Sequence, residues 1–147
     1  MLFRSFDTVV ALQEGVISAN TKVRDPGVLI LQDQYVAERF YRFPNSIPRD
    51  NGWIDVTEAL MRSSNVFFMS VTGGNKEGVI NLQPKEQTIP SGLQINRLAA
   101  GLTDFGFGKL TGIRLYGEQP GRVPTPGWKD RKSTRLNSSH EWISRMP

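Results

Sequence analysis

The sequence contains no cysteine and a single histidine, His140, among its 147 residues. The absence of cysteine excludes disulfides, thiol catalysis and thiolate-ligated metal sites. Because residues 1–129 contain no histidine, they can supply neither a Ser-His-Asp triad nor a histidine-ligated metal centre. We therefore expect no metal or cofactor, and serine chemistry here would need a lysine as its base.

Long hydrophobic runs are also absent. No stretch approaches the ~20 consecutive apolar residues of a membrane helix, and residues 1–7 lack the basic-then-apolar plan of a signal peptide. If the parent protein is anchored or exported, we expect the responsible segment to lie outside this chain. The apolar content of 38% is enough for a globular domain or part of one.

Half of the formal charge of +4 lies in the last eighteen residues. Residues 130–147 carry a net charge of +2, and residues 1–129 carry the other +2. Nucleic-acid-binding domains usually concentrate a large basic excess on one face. The near balance of residues 1–129 therefore predicts no nucleic-acid partner.

The C-terminal tail, residues 130–147, looks foreign to the rest of the chain. Its run DRKSTRLNSSH resembles the translation of a common short-read sequencing adapter, and the final EWISRMP continues that match. We interpret residues 130–147 as a non-native, adapter-like tail and exclude them, with His140, from fold reasoning. A natural polar C-terminal tail is the alternative.

Local signals predict helices in three regions. Apolar residues recur at helical spacing from Phe3 to Gln13, and Gly15 follows where a helix commonly stops. Asp55 and Glu58 have the spacing of a capping box ahead of a second helical region that continues to Val71. A further helix is predicted over 95–105, and the Gly- and Pro-rich segment 111–128 suits an ordered loop.

Two short strands are predicted between the first two helical regions. Apolar runs occur at Val28–Leu31 and Phe40–Phe43. An Asp25-Pro26-Gly27 turn signal precedes the first run, and two prolines follow the second. We expect a loop-rich excursion containing these two strands.

The tripeptide Ser63-Ser64-Asn65 interrupts the second helical region. Serine and asparagine prefer caps and turns to helix interiors, so the tripeptide predicts a bend between two helices that faces a cleft. Helix capping alone would also explain these residues. Phe67, Phe68 and Met69, which follow, are predicted to be core.

Four sequence blocks carry a family resemblance. ALQEGVI with DPG, GWIDVTEALMRSSNVFF, FGFGKLTGIRLYGEQPG and PGWK occur in the order and at about the spacing found in class B penicillin-binding proteins. The transpeptidase domains of that family cross-link peptidoglycan. The blocks cover nearly all of residues 3–129, and the WK ending resembles the elongation-type branch.

The resemblance implies an active site built from three motifs, of which the second, Ser-x-Asn, is intact at Ser63 and Asn65. By resemblance, Ser63 would relay a proton between the catalytic lysine and the leaving amine, since a hydroxyl both donates and accepts. Asn65 would hold the substrate peptide through its carboxamide. These two residues are the candidate catalytic residues.

The other two motifs are not intact. Alignment of the first helix with the family places Met1 where the nucleophilic serine belongs and Arg4 where the lysine belongs. An arginine cannot shed its proton near neutral pH, so the chain as written cannot acylate. Either a start codon replaces a real serine in a divergent gene, or the first motif is lost. For the third motif, Lys132-Ser133-Thr134 lies in the tail, and Lys109-Leu110-Thr111-Gly112 has one residue too many.

The implied fold class is α+β, with this chain supplying the helical lobe of a penicillin-binding protein or serine β-lactamase-like transpeptidase domain and most of the sheet missing. The domain organisation expected is a partial transpeptidase domain at 1–129 followed by the tail. Because helix faces would then lack their partner layer, we expect the isolated polypeptide to be poorly folded.

The leading function implied by the resemblance is D,D-transpeptidation through a serine acyl-enzyme, on the extracytoplasmic face of the cell membrane. The implied partners are peptidoglycan stem peptides, β-lactams and a glycosyltransferase of the wall-synthesis complex. The first alternative is a non-catalytic penicillin-binding-like scaffold module, for which Arg4 argues. A β-lactam sensor or β-lactamase-like protein is the second alternative.

Overall fold

The computed structural model describes residues 2–33, 36–73, 79–80, 92–113, 116–123, 125 and 127. The position of Met1, the predicted connection between Pro84 and Pro90, and the adapter-like tail lie outside the described residues. The chain divides into two compact units, residues 1–98 and 99–147. Within the described ranges, no helix is long and apolar enough to cross a membrane.

The first predicted helix is confirmed as α1, Leu2–Gln13. It ends where Gly15 adopts a left-handed conformation with φ +67°, which glycine reaches without steric cost. Val10 and Ala11 are buried on one side of α1, whereas Val9 and Leu12 remain substantially exposed. Only some of the apolar side chains of α1 are therefore buried in the core.

The excursion after α1 holds four strands, two more than the sequence predicted: β1 (Val23–Asp25), β2 (Val28–Gln32), β3 (Phe40–Pro44) and β4 (Gly52–Ile54). The predicted runs correspond to β2 and β3, which pair antiparallel with Leu29 opposite Phe43. Short β5, Val79–Ile80, pairs antiparallel with the other edge of β2. β1 and β4 form a separate antiparallel pair with Val23 opposite Ile54. Three-residue strands are too short to display an alternating pattern, which is why β1 and β4 were missed.

Gly27 makes the turn between β1 and β2 possible. Its φ is +85°, and a Cβ atom at this position would collide with the backbone carbonyl oxygen of Arg49. The Gly27 amide donates to the Asp25 carboxylate at 2.8 Å, an arrangement typical of Asx turns. The predicted Asp-Pro-Gly turn is thus confirmed, and only glycine fits its third position.

The interrupted helical region is confirmed as two helices, α2 (Val56–Arg62) and α3 (Asn65–Gly73). The predicted capping box begins α2: the Glu58 amide donates to Asp55 at 2.9 Å, and the Asp55 amide donates to Glu58 at 3.3 Å. Two backbone donors that a helix start leaves unpaired are thereby satisfied.

Helix α3 lies at the centre of the first unit. It contacts α1, α2 and strands β1 to β3, and Phe67 at 0% and Phe68 at 6% exposure are buried as predicted. Met69 packs against the same core while partly exposed. Because a helix that is buried on most sides can move little, the backbone segment directly before it is also held in place. The segment that precedes α3 is the Ser63-Ser64-Asn65 tripeptide.

The last predicted helix is confirmed as α4, Gln94–Asp104. Gly106 and Gly108, with φ of +87° and +84°, follow its end, and the Gly106 amide donates to the Thr103 carbonyl at 2.9 Å. In the second unit, Thr111 donates to Glu118 through its amide at 2.7 Å and through its hydroxyl. These bonds lower the pKa of Glu118. Four helices with small antiparallel sheets confirm the predicted α+β class for the described part of the chain.

Candidate active site

The Ser-x-Asn tripeptide lies on the bend between α2 and α3, as predicted. Ser63 caps the C-terminus of α2 in a left-handed conformation, with φ 56° and ψ 45°, a region that residues other than glycine and asparagine seldom occupy. Asn65 is the first residue of α3. The side chains of Ser63 and Asn65 are half-buried, whereas the intervening Ser64 is fully buried.

Arg4 contacts both candidate catalytic residues. From the first turns of α1, its guanidinium donates to the Ser63 hydroxyl oxygen and to the Asn65 carboxamide oxygen. The guanidinium carbon also lies 5.6 Å from the centroid of the Phe68 ring, within the range of a cation–π contact. The residue that the alignment assigned to the lysine position therefore lies beside the second motif.

The Asn65 carboxamide is fixed at both ends. Its Oδ1 accepts from Arg4, and its Nδ2 donates to the Pro44 carbonyl oxygen at 2.5 Å. A guanidinium can only donate and a carbonyl can only accept. The two partners therefore specify which end of the carboxamide faces Arg4.

Ser64 turns into the protein between the two half-buried residues. Its hydroxyl donates to the Asp25 carboxylate at 2.7 Å and accepts from the Phe67 amide at 3.0 Å. Asp25 itself has no exposed surface. The prediction that the tripeptide faces a cleft is therefore wrong for Ser64, because a buried carboxylate offers this hydroxyl a partner.

The charge on Arg4 affects a neighbouring carboxyl group on α1. Burial raises the pKa of Asp7 above its usual 3.8, and the attraction of Arg4 partly opposes that rise. Asp7 is half-buried one turn along α1 from Arg4. The guanidinium that contacts the motif is thus accompanied on the same helix by a carboxyl group whose pKa is raised.

As it stands, this arrangement can bind and orient but cannot start a proton transfer. Ser63 accepts a hydrogen bond from Arg4, and a guanidinium has no lone pair with which to take the serine proton in return. A lysine in the same place could act as a general base once neutral. The geometry thus brings Ser63 and Asn65 together around Arg4 but lacks the base that their expected roles require.

The rejected third-motif run does not form a strand. Lys109-Leu110-Thr111-Gly112 lies in a turn and loop after α4, whereas the family motif is expected on a sheet strand. Trp128, Lys129 and the Lys132-Ser133-Thr134 run lie outside the described residues. In the part of the chain that the structure describes, no three histidine, aspartate or glutamate side chains cluster closely enough to hold a metal ion.

Three residues around the motif were not recognised as partners from the sequence: Asp25, Pro44 and Asn45. The sequence around Asp25 indicates only a turn, and nothing in the sequence distinguishes Asn45. Asn45 lies after β3 and accepts from the Asn65 amide at 2.7 Å. A carboxylate and a carboxamide beside turn prolines are common in loops, so no local signal distinguishes these residues from ordinary turn formers.

Comparisons with known proteins identify the family that the chain resembles. The family model for the penicillin binding protein transpeptidase domain matches residues 3–140. Peptidoglycan D,D-transpeptidase MrdA of Haemophilus influenzae is 29% identical over 139 residues, covering 90% of this chain and 17% of the relative. The MrdA protein of Escherichia coli K12 is 28% identical over 136 residues, covering 88% and 17%.

A solved structure supports the fold independently. The crystal structure of Pseudomonas aeruginosa PBP2 in complex with WCK 5153 matches 90% of this chain and 24% of that protein, with a TM-score of 0.60 and 24% identity. The chain spans only about a sixth of the length of the curated relatives named above. The resemblance to class B penicillin-binding proteins of the elongation type is thereby confirmed, and the chain belongs to the penicillin-binding protein transpeptidase domain family.

Proposed function

We propose that the full-length protein containing this segment is a peptidoglycan D,D-transpeptidase and that Ser63 and Asn65 are its Ser-x-Asn motif. The observation that carries the proposal is the convergence of Arg4 with both residues across 59 and 61 positions of sequence. A transpeptidase site of this kind needs its first and second motifs side by side, so this convergence supports the proposal. The curated relatives, which are named for this activity, support the same proposal.

The proposed reaction requires that the full-length protein carry a serine in place of Met1 and a lysine in place of Arg4, and it proceeds through an ester on that serine. The serine oxygen attacks the penultimate D-Ala carbonyl of a stem peptide, the peptide bond breaks, and D-Ala leaves as an amine that takes up a proton. A second stem peptide's amine then attacks the ester and releases the serine. Ser63 relays the proton between a lysine at position 4 and the leaving amine, and Asn65 holds the substrate backbone.

The setting of this reaction follows from its substrate. Stem peptides lie outside the cytoplasm, so the full-length protein acts at the extracytoplasmic face of the cell membrane. β-Lactams resemble the reacting peptide and acylate the same serine. A glycosyltransferase that supplies uncross-linked strands is the expected partner in the wall-synthesis complex.

Arg4 favours a second candidate function, a non-catalytic scaffold module of the same fold. Its guanidinium occupies the place of the base and already uses the polar atoms of Ser63 and Asn65. Such a site could hold a carboxylate-bearing peptide without acylating it. The residues encoded at positions 1 and 4 of the longer gene discriminate between the two functions.

Labelling of the full-length protein with a fluorescent penicillin tests the proposal. With a serine at position 1 and a lysine at position 4 in the full-length protein, we expect a covalent band that survives denaturing electrophoresis, and Ser63→Ala should slow its formation by about 10²- to 10⁴-fold. Ser5→Ala, an exposed serine on α1, is the matched control and should label at the wild-type rate. Reversible binding without covalent label would support the scaffold instead, and rapid hydrolysis of the label would indicate a β-lactamase-like protein.

We also propose that residues 130–147 are not part of the natural protein. The adapter-like run begins at Asp130, immediately after PGWK, the last of the four blocks that carry the resemblance, whereas the family model match runs on to residue 140. Resequencing the locus is the test: a natural codon series that departs from this sequence after Lys129 is expected. Recovery of the same eighteen codons from independent genomic DNA would refute this interpretation.

A further inference from the structure

A buried carboxylate lies directly behind the Ser-x-Asn motif. Asp25 is fully buried and accepts hydrogen bonds from the Gly27 amide at 2.8 Å, from Nδ2 of Asn45 and of Asn51 at 2.9 Å, and from the Ser64 hydroxyl at 2.7 Å. Leaving a carboxylate buried without such partners would cost several kcal/mol. The neutral donors converge on it from three separate segments of the chain.

Asn45 connects this carboxylate to the start of α3. It is 5% exposed; its Nδ2 donates to both Asp25 oxygens, and its Oδ1 accepts from the Asn65 amide at 2.7 Å and the Val66 amide at 3.3 Å. The first amides of a helix have no partner within the helix. Asn45 therefore caps α3 from a segment twenty residues earlier in the chain.

Ser64 completes the same connection from within the motif. Its hydroxyl accepts from the Phe67 amide at 3.0 Å while it donates to Asp25, so it acts as the N-cap of α3. The first three amides of α3, those of Asn65, Val66 and Phe67, are thus all bound by side chains that are themselves held by Asp25. The backbone on which Asn65 is mounted cannot shift without breaking these bonds.

The adjoining residue fixes the Asn65 side chain as well. The Pro44 carbonyl oxygen, next to Asn45 in sequence, accepts from Asn65 Nδ2 at 2.5 Å. Ser63 precedes Ser64 and is held in a left-handed conformation. One cluster, which we call the bracket and define as Asp25, Asn45 and Ser64, therefore constrains the backbone beneath both the hydroxyl and the carboxamide of the motif.

We propose that Asp25 and Asn45 are positioning residues for the proposed acylation, acting through the buried Ser64 to hold Ser63 and Asn65 at their working geometry. This inference rests on the proposed function. Well-packed apolar residues can often replace a buried polar cluster without loss of stability, so stability alone does not require the bracket. Catalysis does require a fixed geometry, because a misplacement of about 1 Å can slow a reaction by about 100-fold.

The test compares the rate of labelling with its extent in the full-length protein. Met1→Ser and Arg4→Lys are first introduced unless the gene already encodes these residues, and the resulting protein serves as wild type. Fluorescent penicillin is added to wild type, Asn45→Ala and Ser64→Ala well below each protein's unfolding temperature, and both the second-order acylation rate constant and the final stoichiometry are measured. We expect rate constants lower by about 10- to 100-fold with unchanged final stoichiometry. Asp50→Asn is the matched control, because it breaks an ion pair with Arg24 in the same excursion without touching the bracket.

The outcomes separate the two proposals. Variants that label at the wild-type rate but to a reduced extent would assign the bracket to folding alone and overturn the positioning role. An Asp50→Asn protein slowed as much as the bracket variants would overturn it too. A wild-type protein that takes no label at all refutes the proposed function, and the positioning role falls with it.

Discussion

Arg4→Lys should create the missing base. We consider two full-length proteins that both carry Met1→Ser and differ only at residue 4. In the structure, the Arg4 side chain reaches the Ser63 hydroxyl and the Asn65 carboxamide, so a lysine there, with three rotatable donors, can contact the same hydroxyl. Only the lysine can lose its proton and accept one from serine.

The size of the effect follows from the supply of neutral base. At about pH 7.5, a free arginine side chain is deprotonated in on the order of one molecule in 10⁵, whereas a lysine desolvated to a pKa of about 8 is neutral in about one in four. The fraction of competent base therefore differs by on the order of 10⁴-fold. Because general-base catalysis contributes about 10²- to 10⁴-fold, we expect a gain within that range.

The assay is the time course of covalent labelling by fluorescent penicillin, measured from about pH 6 to about pH 10. The lysine protein should accelerate as pH rises through the pKa of its base, and the arginine protein should remain slow throughout. Equal rates in the two proteins would refute the assignment of residue 4 to the base position. Arg97→Lys, an exchange in an exposed ion pair with Glu14, controls for the substitution itself.

Three further predictions concern stability. Burial raises the pKa of Asp7 above 3.8, so its ionisation destabilises the fold as pH rises. Asp7→Asn should therefore raise the melting temperature of the full-length protein at about pH 7 and not at about pH 3. A lower melting temperature of Asp7→Asn at neutral pH would contradict this prediction. The hydrogen bond from Arg24, with a second from the Gly52 amide, lowers the pKa of Asp50 from 3.8 to about 2. Ionised Asp50 should therefore stabilise the fold above pH 3.8, and this stabilisation should disappear as pH falls through about 2. If wild type remained more stable than Asp50→Asn below that pH, the prediction would be refuted. Residues 1–129 alone should unfold without a cooperative transition in calorimetry, since Tyr41, Ile47 and Met61 remain exposed; a sharp high-temperature transition would overturn that expectation.

The sequence was informative wherever the determining interaction is local. The capping box of Asp55 and Glu58 joins residues three apart, and it placed the start of α2 correctly. The end of α1 at Gly15 and the end of α4 before Gly106 depend on single glycines that adopt positive φ. Helix-start and helix-end signals of this kind involve residues close in sequence, so they can be recognised without knowing what packs against the helix.

The parts that were missed depend on contacts between distant residues. Asp25 bonds to Ser64 across 39 positions, and the β1–β4 pair joins Val23 to Ile54. Neither contact leaves a periodic pattern, because strands of three residues and single polar side chains have no repeat. The motif itself was found by resemblance, but its surroundings are set by tertiary packing, which a single sequence does not display.

The left-handed backbone of Ser63 has an evolutionary consequence. A non-glycine residue in this region carries a penalty of about 1–2 kcal/mol, and glycine would relieve it. Substitution by glycine should therefore stabilise the protein and at the same time remove the hydroxyl that the proposed reaction uses. Selection for stability would favour glycine at this position, whereas selection for activity would favour serine. A homologue with glycine here is therefore expected to lack catalytic activity.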